Sequence, residues 1–95
     1  MKSLYTMVGM RFRGTVDAVN NLKPGEPMRL IRERNNEHDR HAVMVCDRDG
    51  RHLAYVKGSE VVALANWMDA RQISEISGAY RVTADRWPQV EVTDQ

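Results

Sequence analysis

Phe12, the only phenylalanine in the chain, sits between two arginines in Val8-Gly9-Met10-Arg11-Phe12-Arg13-Gly14. A planar ring offers a face on which a base can stack, and the flanking guanidinium groups suit phosphates. On spacing alone a second reading stands level with this one: Phe12 plugs the core and the arginines are solvated. Asn35-Asn36-Glu37-His38-Asp39 forms another polar cluster, between two apolar runs. Such side chains bond backbone readily, so a solvated loop held by Asx turns is the stronger reading of this spacing. His38 and His41, with Asp39 between them, could be metal ligands, but their spacing fits neither a regular strand nor a helix. No third and fourth ligand follow nearby, which favours surface histidines. Cys46 lies in a run apolar on both faces and reads as a buried, inert thiol. The isolated glycines make no phosphate loop, and no acid pairs with Asp39 in sequence. The residues therefore point to a binding module without catalytic site, metal or cofactor.

The elements that would carry these residues follow from periodicity and turn chemistry. Leu4–Met10 reads as a first strand, with the arginine–aromatic cluster at its end. Gly14–Leu22 allows a helix of one or two turns, and Lys23-Pro24-Gly25-Glu26 is a turn. Met28–Glu33 and Ala42–Asp47 read as strands, the latter central because both its faces are apolar. Asp49-Gly50 suits a two-residue primed turn joining Ala42–Asp47 to His52–Lys57. Ser59 can cap a helix running to Ala70, with Glu60 in its first turn and Val61, Leu64, Ala65 and Met68 on one face. Gln72–Val82 and Gln89–Thr93 alternate as two closing strands around a turn at Asp85–Pro88. The expected fold is mainly β with one principal helix, a small OB-like β-barrel of five to six strands.

Composition bounds the rest. Ninety-five residues, 42% hydrophobic and 28% charged, suit one small globular domain over 1–95. No apolar run is long enough for a membrane span, and Met1–Met10 carries no visible secretory signal, so a cytoplasmic protein is expected. One cysteine excludes an internal disulfide. The net charge of +1 is unevenly spread: residues 1–34 hold seven basic and three acidic side chains, residues 58–95 three basic and six acidic. A basic face and an acidic face could result, although an ordinary solvated surface is favoured by charge alone. Arg11, Arg13, Lys57 and Arg34 are the cations placed to reach phosphates.

In order and spacing the clusters resemble the HIRAN domain, found alone in bacteria and phages and at the N-terminus of eukaryotic fork-remodelling translocases. The resemblance spans about Tyr5 to Val92. It runs through Val8-Gly9-Met10-Arg11-Phe12, Pro24-Gly25-Glu26-Pro27, Arg32 to Asp39, Ala42-Val43-Met44-Val45, Asp49-Gly50, Ala54-Tyr55-Val56 and the helix after Ser59. It implies an OB-like barrel that captures single-stranded DNA by the 3′ end. Arg11 would then contact phosphate and backbone, Phe12 would stack on a terminal base, and Asp39 would accept a bond from the 3′-hydroxyl. Tyr55 and Lys57 fall in the phosphate-contacting segment, and Arg13, Asn36 and His38 complete the implied DNA-binding set. His38 and Arg13 stand where end-binding members carry aromatics, which implies a weaker base clamp. Glu37, His41 and Ala54 replace a common Pro, Asn and Gly. The function implied is a non-catalytic module for single-stranded DNA or 3′ ends in DNA repair or replication-fork processing. The alternative is a small protein-interaction or inhibitor module, of the kind a phage encodes, binding a protein partner through a basic face or a strand edge. A monomer is expected ahead of a dimer, with Trp67 and Trp87 suited equally to core or contact.

Overall fold

A computed structural model describes residues 2–93. The chain runs β1 (Ser3–Val8), α1 (Met10–Arg13), α2 (Val16–Asn20), β2 (Pro27–Arg32), β3 (Val43–Asp47), β4 (His52–Val56), α3 (Gly58–Ala70), β5 (Glu75–Val82) and β6 (Pro88–Val92). The strands pair antiparallel in the order β1-β4-β3-β2-β5-β6, and β6 returns to β1, so the sheet is a closed barrel. Inward-facing Met7, Leu30, Val43, Val45, Leu53, Val90 and Val92 fill it, and α3 adds Val61, Leu64, Ala65 and Met68, the stripe its spacing foretells. Every strand has two neighbours in this order, although the β1–β4 join is short.

Several boundaries move for local reasons. β1 ends at Val8, not Met10, because Gly9 takes φ 86° and turns the chain into α1. The β3–β4 hairpin forms, but its loop is Arg48-Asp49-Gly50: the Asp47 N–H donates to the Arg51 carbonyl and the Gly50 N–H to the Asp47 carbonyl. Only Gly50 is left-handed, so this is a three-residue loop with a glycine bulge and not a primed two-residue turn. Val45 and Cys46, adjacent in sequence, are both buried because the β3–β4 register shifts between them. Burial also raises the Cys46 thiol above its ordinary pKa, in keeping with an inert side chain. β5 starts at Glu75, since Gln72 takes φ 56° and closes α3: its N–H donates to the Asp69 carbonyl and that of Ile73 to the Met68 carbonyl. Ser59 does not cap α3. The helix starts at Gly58 with Lys57 at its N-cap, two residues before the expected cap, and Glu60 is spent elsewhere.

That elsewhere is the seam of the barrel. β1 pairs with β6 along Ser3–Thr6, but with β4 only at Met7 and Val8. Side chains extend the join at both ends. Beyond Val8 the buried Thr15 hydroxyl donates to the Leu53 carbonyl, and Arg13 Nε reaches the His52 carbonyl at 3.4 Å. Before Met7 the Glu60 carboxylate accepts the Thr6 N–H at 2.7 Å and its hydroxyl at 2.9 Å, while the Lys57 N–H donates to the Thr6 carbonyl. Thr15→Val keeps the shape but strands the Leu53 carbonyl, and should cost about 1–3 kcal/mol, with Thr15→Ser close to wild type. Denaturant titration of the three proteins measures it; a valine variant as stable as wild type would mean that the hydroxyl contributes nothing to closure.

Candidate nucleic-acid interface

Two left-handed glycines, Gly9 and Gly14, bracket the single turn of α1. A strand there would send alternate side chains inward; the helical turn instead lifts Phe12 to 98% exposure. The core-plug reading of Phe12 is thereby excluded. The Arg11 guanidinium, also exposed, makes no bond or ion pair with any described residue. Around them Val8, Met10, Val16 and Trp87 wall a largely apolar groove of about 360 Å³. Trp87, which the sequence leaves between core and contact, is half exposed in this wall, whereas Trp67 packs against the core with Arg71 over its ring at 4.7 Å.

A second groove, of about 330 Å³, shares Val8 and continues past Asn36, His38, Asp39, Tyr55 and Gly58. The expected Asx bracing is present: Asn36 Oδ1 accepts the N–H groups of His38 and Asp39, each at 2.8 Å, and Asp39 Oδ1 accepts that of His41 at 2.8 Å. Asp39 Oδ2 takes no bond from the described residues, and Asp39 lines the groove. Beneath the loop, Glu33 Oε1 accepts the Asn36 amide at 2.6 Å and the Tyr55 hydroxyl at 2.8 Å. Glu33 thus fixes the loop to β4, a role that no sequence signal marks because its partners lie 3 and 22 residues away. Burial alone would raise the Glu33 carboxyl, but the bonds from Asn36 and Tyr55 outweigh it and hold it below its ordinary value. The same burial, then the Glu33 bond, raises the Tyr55 phenol. His52 stands edge-on to Tyr55 with centroids 4.7 Å apart, and burial followed by the field of Arg13 lowers its pKa.

Of the sequence-derived site residues, Arg11 and Phe12 share the first groove, and Asn36, His38, Asp39 and Tyr55 the second. Lys57 is exposed at the start of α3, beside Gly58 of the second groove. Arg13 is drawn to the His52 carbonyl. Arg34 is taken out of the phosphate-contacting set: it joins Asp69 at 3.0 Å and also reaches Ser74 and the Ile73 carbonyl. Part of the basic and acidic charge is paired across the chain and not set on opposite faces. The order β3-β2-β5 sets basic β2 beside the acidic half of the chain, so Arg29 pairs with Glu75 and Arg32 with Asp69.

A small closed barrel with an exposed ring, an unpartnered guanidinium and a carboxylate along adjoining grooves displays groups suited to a nucleic-acid strand. The HIRAN domain family matches residues 2–92, and the chain belongs to that family of DNA-binding modules. In fold it is similar to a crystal structure of a protein from Lactobacillus plantarum, with a TM-score of 0.72, 20% identity, and coverage of 98% of this chain and 100% of that one. It is also similar to the HIRAN domain of human HLTF, with a TM-score of 0.69, 22% identity, and coverage of 98% and 77%. No curated protein sequence matches.

Two outcomes follow from the geometry. Phe12→Ala should leave thermal stability within about 0.5 kcal/mol of wild type, since the ring touches little; a large fall in melting temperature would return the ring to the core. Glu33, held below the ordinary carboxyl value of 4.5, contributes stability that is full above that value and lost as pH falls through the lower folded one. The stability difference between wild type and Glu33→Gln should therefore shrink as melts are taken to lower pH. A difference that does not change with pH would show that the charge is not what the loop uses.

Proposed function

We propose that the domain is a non-catalytic module that captures single-stranded DNA, with a free 3′-hydroxyl at Asp39 and a base on Phe12. The observation that carries this reading is the shared wall at Val8, which joins the stacking groove to the groove lined by Asp39. An ionised carboxylate only accepts, so it welcomes a terminal hydroxyl and repels a terminal phosphate. Arg11, and Lys57 beyond it, neutralise backbone phosphates. His38, where an aromatic would clamp harder, leaves Phe12 as the main platform. Such a module belongs in the cytoplasm of a bacterium or in a phage-infected cell, in DNA repair or replication-fork processing. The family supports DNA binding, and the end preference rests on Asp39.

A second reading has its own support. Met10, Val16 and Trp87 make the first groove apolar enough for a protein side chain, which suits a protein partner.

Competition between otherwise identical oligonucleotides ending in 3′-hydroxyl and 3′-phosphate tests the first reading at low salt. The hydroxyl strand should bind better, Asp39→Asn should narrow the gap, and Phe12→Ala should weaken both by about 1–3 kcal/mol. Equal binding of the two ends by wild type would remove end recognition, and no binding of either would favour the protein partner.

A further inference from the structure

On the far side of Trp87 lies a hollow of about 390 Å³ between α2 and the β5–β6 turn, lined by Asn20, Leu22, Pro24, Tyr80, Val82 and Arg86. Tyr80 is only 6% exposed, yet its hydroxyl bonds to no described residue. Among the described residues no buried side-chain nitrogen or oxygen lacks a partner, so that hydroxyl is not sealed from solvent, and Tyr80 lines the hollow. Burial raises its pKa, which keeps it a neutral donor.

The turn itself is unusual in one residue. Its Thr83 N–H donates to the Trp87 carbonyl and its Arg86 N–H to the Thr83 carbonyl, which makes Ala84-Asp85-Arg86 the same three-residue loop as Arg48-Asp49-Gly50. In the β3–β4 loop the left-handed position holds Gly50 at φ 86°; in the β5–β6 loop it holds Arg86 at φ 66°. A side chain in that conformation is unfavourable, and Gly is the residue the position prefers. Nothing in the fold repays the substitution: the Arg86 guanidinium makes no bond or ion pair with a described residue, and Asp85 beside it is engaged by the Thr83 hydroxyl. A strained position carrying an unused cation at the mouth of a hollow is an argument for a ligand.

The hollow and the stacking groove share no lining residue, but two segments of chain run from one to the other. Trp87, which walls that groove, follows Arg86 directly. Val16 of α2 faces the groove and Asn20, one turn on and about 6 Å along the helix, faces the hollow. A guanidinium fork, a phenol hydroxyl and a side-chain amide together offer donors to the oxygens of a phosphodiester.

We propose that the Asn20–Tyr80–Arg86 hollow is a second nucleic-acid subsite, which holds a backbone phosphate of the same strand beyond the base stacked on Phe12. The proposal rests on the reading of the Phe12 groove as a single-strand site. It lengthens the footprint from a strand end toward the roughly 4 or more nucleotides usual for barrels of this size.

Fluorescence anisotropy with 5′-labelled dT3 and dT8 at low salt tests it. Wild type should bind dT8 about tenfold more tightly than dT3. Arg86→Gly should abolish that gain, leave dT3 affinity unchanged, and melt no lower than wild type, because glycine suits the turn; Tyr80→Phe should reduce the gain with dT3 again unchanged. A glycine variant that keeps the gain, or a wild type in which both lengths bind equally, overturns the second subsite while the Phe12 groove stands. Absence of binding at both lengths overturns the single-strand reading itself, and this subsite with it.

Discussion

Two residue pairs, Met7 with Val56 and Val8 with Tyr55, are all the backbone pairing that joins β1 to β4, and the closed barrel depends on them. A join so short has to be lengthened by side chains. Thr15 and Arg13 continue it on one side and Glu60 on the other, which fixes where α1, α2 and α3 may lie. The candidate binding surface grows from the same place. Val8 is the last residue of β1 and the wall common to both grooves, while Tyr55 opposite it anchors Glu33 and through it the Asn36–Asp39 loop. Architecture and recognition are built from one seam.

The loop makes the bracing role of Asp39 compatible with the strand-end role proposed for it. Bracing uses one oxygen, Oδ1, which accepts the His41 N–H, and the proposed end contact would use the other, which takes no bond from the described residues. A braced carboxylate is the better acceptor for a strand end, since its direction is fixed before the ligand arrives and little side-chain freedom is left to lose.

What the sequence made legible was local. Periodicity marked the α3 stripe and the strand cores, and the glycines marked the turns. What it hid was set either by one residue in an unexpected backbone region or by contacts across the chain. Gly9 looks like part of a strand until its φ is known, so α1 and the outward aim of Phe12 could not be read. Gln72 and Arg86 occupy positions where glycine would have announced the helix end and the loop type. Glu33 and Trp87 entered the site through folding that brings together β2, β4 and the β5–β6 turn, which no short window spans. The basic and acidic halves of the chain likewise meet through folding, as Arg29 with Glu75 and Arg32 with Asp69, which a charge count along the sequence does not show.

The first and last strands are direct neighbours, with Ser3 opposite Val92. Both ends of the barrel chain therefore leave the domain at one spot on its surface. A unit with that outline can be spliced into a loop of a host protein without forcing the host's flanking segments apart, or carried at either end of a longer polypeptide with the grooves still open. The same neighbourhood sets an order on synthesis: β1, the first of the six strands to be made, has no strand partner for its leading half until β6 is made, so during synthesis the barrel closes only after β6.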